Sequence, residues 1–247
     1  MAVKNIEYFN KSFDINYEII NSDKKNVIVF LHGWGSYKEI MQQAFKTELK
    51  NFKHIYIDMP GFGKSSNKYI LTTKDYANIM DIFLKKILND NELKNITIAG
   101  HSFGGKVATY LKPKTLILLS SAGILELKSA KTLLTIRMAK IFNKFGLGKV
   151  NKLLRSKDVD NMDPNMYETF KNVVDEDFSS EFSKYKGNTL IYWGKTDTAT
   201  TLDSGKTIHS LINKSKFISY DGDHYFFISF SKEICKDIQK ELENTIE

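Results

Sequence analysis

Apolar and polar residues alternate over "IEYFN" (6–10) and "FDINYEII" (13–20). That two-residue period predicts two strands with one wet face each, joined as an antiparallel hairpin. The pattern then changes to unbroken apolar runs suited to strands enclosed on both faces: "VIVFL" (27–31) and "HIYID" (54–58). Further strands are "NITIAG" (95–100), "TLILLS" (115–120), "TLIYWG" (189–194) and "KFISY" (216–220). Helix-length patterns lie between them, at 37–49, 73–88, 103–112, 203–211 and 229–245. Strands alternating with helices predict an α/β fold, a mostly parallel sheet flanked by helices on both faces.

The alternation breaks once. Residues 124–186 carry helix patterns, "LELKSAKTLLTIRMAKIFNKF" and "PNMYETFKNVVDEDF", and no convincing strand. The expected organisation is a core of residues 1–123 and 187–247 with a helical insertion at 124–186.

Composition narrows the function classes. The 247 residues, 42% hydrophobic and 13% aromatic, suffice for a large core. The net charge of +7 comes from scattered lysines, with Arg137 and Arg155 the only arginines. It reads as a solvated Lys-rich surface rather than a nucleic-acid face. The first residues hold no apolar signal core, and no apolar run reaches the roughly 18 residues of a membrane span. A soluble, cytoplasmic protein is expected. Cys235 is the sole cysteine, which excludes an internal disulfide and a cysteine zinc cluster.

The chemistry begins at "GHSFGG" (100–105), between a strand and a helix. A serine on such a turn is exposed above the sheet, and the helix start supplies NH groups and positive potential. The competing reading of Ser102 is an ordinary N-cap.

A serine hydroxyl needs a base, and the base needs a carboxylate to fix its tautomer. Of the five histidines, His101 adjoins the serine and should point away from it. His54 opens a strand, His209 lies in a helix pattern and His32 belongs to another motif. His224, in "SYDGDHYFF", follows a strand and precedes the last helix, where an α/β sheet places reactive groups.

For the acid, "TLIYWGKTDTAT" places Asp197 just past another strand end, although "KTDTAT" is also turn-like. Asp221 and Asp223 are too close to His224 along one loop to face its far nitrogen. The position after "TLILLS" holds Ser120 and Ser121. Asp197 is the better candidate, giving the order Ser102, Asp197, His224.

Attack on a carbonyl creates an oxyanion that needs donors. The Phe103 amide follows the nucleophile, and "HGWGS" after "VIVFL" offers the Trp34 amide, with Gly33 and Gly35 freeing the backbone. The Trp34 and Phe103 side chains are also expected to line the substrate pocket. "DMPGFGKSS" (58–66) fails as a phosphate loop, because Asp58 stands where a glycine is needed, and reads as a pocket rim.

In this order, "HGWGS", "DMPGFGKSS", "GHSFGG", "WGKTDTA" and "GDH" resemble the α/β-hydrolase fold superfamily over nearly the whole chain. The resemblance implies an eight-stranded sheet, a helical cap at about 124–186 and a Ser102–Asp197–His224 triad. Relatives with an aspartate nucleophile and lipases with "HGGG" do not match, which favours the smaller cap-bearing esterases.

The mechanism implied is acyl transfer from a small or medium hydrophobic ester through Ser102 to water, with no cofactor and no metal. Thioesterases, acyl-carrier methyl ester esterases and meta-cleavage carbon–carbon bond hydrolases share these motifs, so an acyl-carrier or CoA-linked substrate stays open. A ligand-binding receptor on the same fold is the alternative of another class.

Overall fold

The computed structural model describes residues 1–126 and 162–243. Its strands are β1 (Ala2–Tyr8), β2 (Lys11–Ile20), β3 (Asn26–Leu31), β4 (Phe52–Ile57), β5 (Thr97–His101), β6 (Thr115–Leu119), β7 (Asn188–Gly194) and β8 (Ser215–Tyr220). They form one eight-stranded sheet in the order β1-β2-β4-β3-β5-β6-β7-β8. β1 pairs antiparallel with β2, and β2 with β4; every other neighbouring pair is parallel. The hairpin, the eight strands and the mostly parallel sheet match the sequence pattern.

The described helices are α1 (Lys38–Phe45), α2 (Thr73–Ile87), α3 (Asp90–Lys94), α4 (Phe103–Leu111), α5 (Pro164–Val174), α6 (Ser179–Lys184), α7 (Leu202–Leu211), α8 (Phe226–Ser229) and α9 (Ser231–Glu243). The apolar runs divide between two cores. Val27, Val29 and Leu31 of β3 face the side covered by α2, α4 and α7, while Ile28 and Phe30 face α1, α8 and α9. β6 splits in the same way, Leu116 and Leu118 against Ile117 and Leu119. Two buried faces explain why these strands show no polar alternation.

Three details differ from the pattern. The helix expected at 229–245 is α9, Ser231–Glu243, and a separate short helix, α8, precedes it with Phe230 between them. α3 carries no apolar period because none of its residues is buried; a reciprocal capping box between Asn89 and Glu92 defines it instead. "KFISY" is only half-buried, since β8 is an edge strand.

The expected helical insertion falls largely on residues 127–161, outside the described residues. Its described end, 162–186, folds as α5 and α6, with Met166, Val173 and Phe182 buried in the α2/α4 core.

The order of the sheet also positions the site. From β3 the chain steps outward to β4, and from β5 onward it steps the other way, so the β3–β5 boundary is a topological switch point. A crevice opens there at the carboxyl ends of the strands. "HGWGS" follows β3 and "HSFGG" ends β5, on its two sides.

Candidate active site

Only Ser102 separates β5 from α4, and it adopts φ 50° and ψ −116°. A non-glycine residue there stores strain on the order of 1–3 kcal/mol. Its side chain makes no capping hydrogen bond, so Ser102 occupies the N-cap position without doing a cap's job. The turn is possible because its neighbours lack side chains. A Cβ on Gly100 would stand 2.3 Å from the Gly104 carbonyl oxygen, and one on Gly105 would stand 2.1 Å from Ser121 Oγ.

The structure brings Asp197 and His224 together. His224 Nδ1 lies 2.7 Å from Asp197 Oδ2, so the ring N–H donates to the carboxylate and leaves Nε2 as the free acceptor. Asp197 is 5% exposed. Its Oδ1 accepts the Ala199 amide at 2.8 Å and the Thr200 amide at 3.0 Å. The Thr200 hydroxyl lies 3.1 Å from Oδ2 and 3.1 Å from the Ser120 carbonyl. Burial pushes the Asp197 carboxyl up, but the hydrogen bonds from His224 and the Thr200 amide outweigh it and hold it down at about 2. The carboxylate is thus ionised at any working pH.

Ser102 has no hydrogen-bond partner for its hydroxyl among the described residues. It meets the pair through its neighbour: the His101 and His224 rings lie 4.5 Å apart, and His101 Nε2 is 3.0 Å from the His224 carbonyl. His101 does point away from the serine, as expected, but toward the His224 loop. Sequence reasoning missed this bridge, and it missed Thr200, whose only signal was the turn-like "TDTAT".

The "HGWGS" loop runs directly beside the serine. A Cβ on Gly33 would lie 3.2 Å from Ser102 Cβ, and Gly35 takes φ 69°. Trp34 packs its indole edge-on against Phe103 at 5.5 Å and against Phe62 at 4.9 Å. Phe103 begins α4, so its amide is among the helix's unpaired leading NH groups. The Trp34 amide also has no partner among the described residues.

His32 is fully buried. It donates from Nδ1 to the Gly33 carbonyl at 2.7 Å and accepts the Met59 amide at 3.1 Å. Burial pushes its imidazole down to about 4, so it stays a neutral strut between the two loops. Asp58 and Lys38, both without exposed side-chain surface, pair at 2.7 Å. Asp58 also accepts the Lys38 amide at 2.8 Å and the Lys64 amide at 3.1 Å, which fastens "DMPGFGKSS" to the loop after β3.

A cavity of about 350 Å³ opens beside Trp34, lined by Tyr37, Phe62, Met162 and Met166 among others, with Ser36 and Asp163 as polar members. "DMPGFGKSS" therefore contributes Gly61, Phe62 and Gly63 to a pocket wall. Among the described residues no group of His, Cys, Asp and Glu side chains is arranged to hold a metal ion, and no helix is long and apolar enough to cross a membrane.

A two-way switch-point crevice, a strained serine between strand and helix, and an aspartate–histidine pair on later strand ends together define an α/β-hydrolase fold. Within it, the chain belongs to the family described as serine aminopeptidase, S33, whose model matches residues 22–184. The chain is 26% identical over 157 residues to a pimeloyl-(acyl-carrier protein) methyl ester esterase of Pseudoalteromonas atlantica, a match covering 64% of this chain and 50% of that relative. It is 25% identical over 182 residues to a putative esterase/lipase of Mycoplasma genitalium, covering 70% of this chain and 59% of that one. The matches thus span only about half the length of these curated relatives. An esterase from Thermogutta terrifontis superposes with a TM-score of 0.75 at 16% identity, over 99% of each chain. A meta-cleavage product hydrolase from Pseudomonas fluorescens does so with a TM-score of 0.71 at 15% identity, over 99% of this chain and 98% of that one.

Proposed function

We propose that the protein is a serine esterase that cleaves a small or medium hydrophobic carboxylic ester through an acyl-enzyme on Ser102. The observation that carries this is the backbone of Ser102. A strained, uncapped serine beside two unpaired amides serves no purpose in stability, and it suits a nucleophile.

In this reading His224 Nε2 takes the Ser102 proton as Oγ bonds to the substrate carbonyl carbon. The tetrahedral oxyanion then rests on the Trp34 and Phe103 amides. His224 returns the proton to the departing alcohol, and the ester C–O bond breaks. Water repeats the sequence on the acyl-enzyme and frees the acid and Ser102. Asp197, ionised and bonded to Nδ1, stabilises the imidazolium that forms in each half. Serine–histidine bonds commonly tighten only when substrate is bound, which accommodates the unpaired Ser102 hydroxyl.

The acyl part is assigned to the Trp34–Phe62–Met166 cavity, whose size lies at the lower end of small-molecule pockets. Residues 124–186 are proposed to roof this site as a cap on the 1–123 and 187–247 core. Ser102→Ala should reduce p-nitrophenyl ester hydrolysis to near background. An unchanged rate would overturn the reading, and faster turnover of aminoacyl p-nitroanilides than of esters would move it to peptidase chemistry.

A second reading, an acyl group delivered on an acidic carrier protein, has one specific support. The lysines are scattered along the chain, but outside residues 127–161 Lys and Arg are balanced in number by Asp and Glu, while within that stretch nine Lys and Arg against two Asp and Glu leave an excess equal to the chain's +7. The P. atlantica relative is named for such a substrate. Comparing acyl-carrier thioesters and carrier-linked methyl esters with the free methyl esters tests it, the carrier-linked forms being preferred at low salt.

A further inference from the structure

We propose that His101 is a positioning residue for the base: its Nε2–H holds the main-chain carbonyl of His224 and so sets where the His224 ring stands relative to the serine. The proposal rests on the roles given to Ser102 and His224 above.

A polar ring at this place asks for an explanation. His101 is 1% exposed, and an aromatic hydrocarbon would fill the same volume without the penalty of burying two ring nitrogens. Burial, then the neighbouring His224 ring, push its imidazole down to about 3, so it is neutral and carries a single N–H. The His224 carbonyl only accepts, which places that N–H on Nε2. Nδ1 is left as a lone pair, buried and without a partner. It faces Gly33, where an added Cβ would come within 2.9 Å. The molecule therefore tolerates an unsatisfied buried acceptor here, a loss on the order of 1–3 kcal/mol, in a ring whose only hydrogen bond among the described residues goes to His224.

The surroundings show what that bond controls. The His101 ring also packs on Tyr225 at 5.1 Å and Phe227 at 4.8 Å, the residues that follow the base. No other donor reaches the His224 carbonyl among the described residues. His224 sits on a short loop between β8 and α8, and its ring is held at Nδ1 by Asp197 at 2.7 Å with the Thr200 hydroxyl 3.5 Å away. One covalent bond joins His101 to Ser102. The residue thus ties three parts to one rigid strand end: the nucleophile by the peptide bond, the loop at Gly33 by contact, and the base by a main-chain hydrogen bond. Displacing a base by about 1 Å is enough for losses of order a hundredfold in rate, so a tether of this kind acts on kcat rather than on substrate binding.

The test compares His101→Gln, which offers a donor at about the Nε2 place, with His101→Phe, which keeps the ring and lacks the donor. His101→Met serves as a second donor-free variant should Phe fail to fold. The readouts are kcat and KM on p-nitrophenyl butyrate, and long-range proton–nitrogen NMR spectra of the histidine rings. The parent should show His101 as the Nε2–H tautomer and His224 as Nδ1–H. The Phe and Met variants should lose at least about tenfold in kcat, with KM within about twofold, and should show a broadened or shifted His224 ring. The Gln variant should stay within about threefold of the parent. A donor-free variant with parental kcat and an unmoved His224 ring would overturn the proposal, as would a His101 Nδ1–H tautomer in the parent or equal losses in Gln and Phe. If the parent turns over no ester, the esterase reading fails, while the NMR spectra still decide the role of His101.

Discussion

Asp197 and His224 are joined through one carboxylate oxygen: Oδ2 lies 2.7 Å from Nδ1, while Oδ1 is fully engaged by the amides of Ala199 and Thr200. Asp197 is at once a turn residue and the partner of His224, one role per oxygen. The turn aims the carboxylate, and the carboxylate fixes the histidine tautomer.

Asp197→Asn separates those roles. Asparagine retains an oxygen for the turn amides, so the fold should survive, but its amide group cannot accept from Nδ1–H where the carboxylate did. We expect kcat on p-nitrophenyl esters to fall by roughly 10³ to 10⁴ while the protein stays folded, its melting temperature lowered by only a few degrees. Steady-state kinetics with a thermal melt check both halves.

The same carboxylate makes stability pH-dependent in a defined direction. Its folded value of about 2 lies below the ordinary carboxylate range, so its contribution is present above about pH 4 and is lost as the pH falls toward 2. The difference in unfolding free energy between parent and Asp197→Asn should shrink by roughly 1–2 kcal/mol across that window. Urea titrations at pH 5, 4, 3 and 2 read it directly.

Gly33→Ala should leave the chain folded but impair the reaction. The new methyl would press on His101 Nδ1 at 2.9 Å and on Ser102 Cβ at 3.2 Å, shifting the donor loop against the serine. Overpacking of this sort costs about 1–3 kcal/mol. The expected result is a lowered kcat and slower fluorophosphonate labelling of Ser102, measured against a melt that shows the protein intact.

Lys38→Met removes one half of a pair buried on both sides and leaves the Asp58 carboxylate between two loops without its cation. A loss of about 3–5 kcal/mol in unfolding free energy is expected. Lys38→Met combined with Asp58→Asn should recover part of it, because the charge left behind is gone. A single variant as stable as the parent would show that the pair does not hold these loops.

The sequence by itself determined the sheet. Apolar runs enclosed on both faces, an alternating hairpin and helices between strands leave few arrangements that bury everything, and the eight strands fall where the runs do. It also determined the serine turn after β5, since "GHSFGG" needs only local backbone sterics to make it. Helix α3 escaped because it has five residues, of which Leu93 alone packs against the core and only in part, so it leaves no apolar period, only a capping box.

What the tertiary structure alone decided is how residues far apart in the chain meet. That Asp197 faces His224 follows from β7 and β8 lying side by side, so that loops 27 residues apart share one strand-end layer. That His101 reaches back to the His224 carbonyl, 123 residues away, cannot be read from a pentapeptide, because its cause is the depth of the crevice and the rings that close it. Sequence periodicity records which face each residue buries. It does not record which distant atom waits there, and hydrogen bonds depend on that atom.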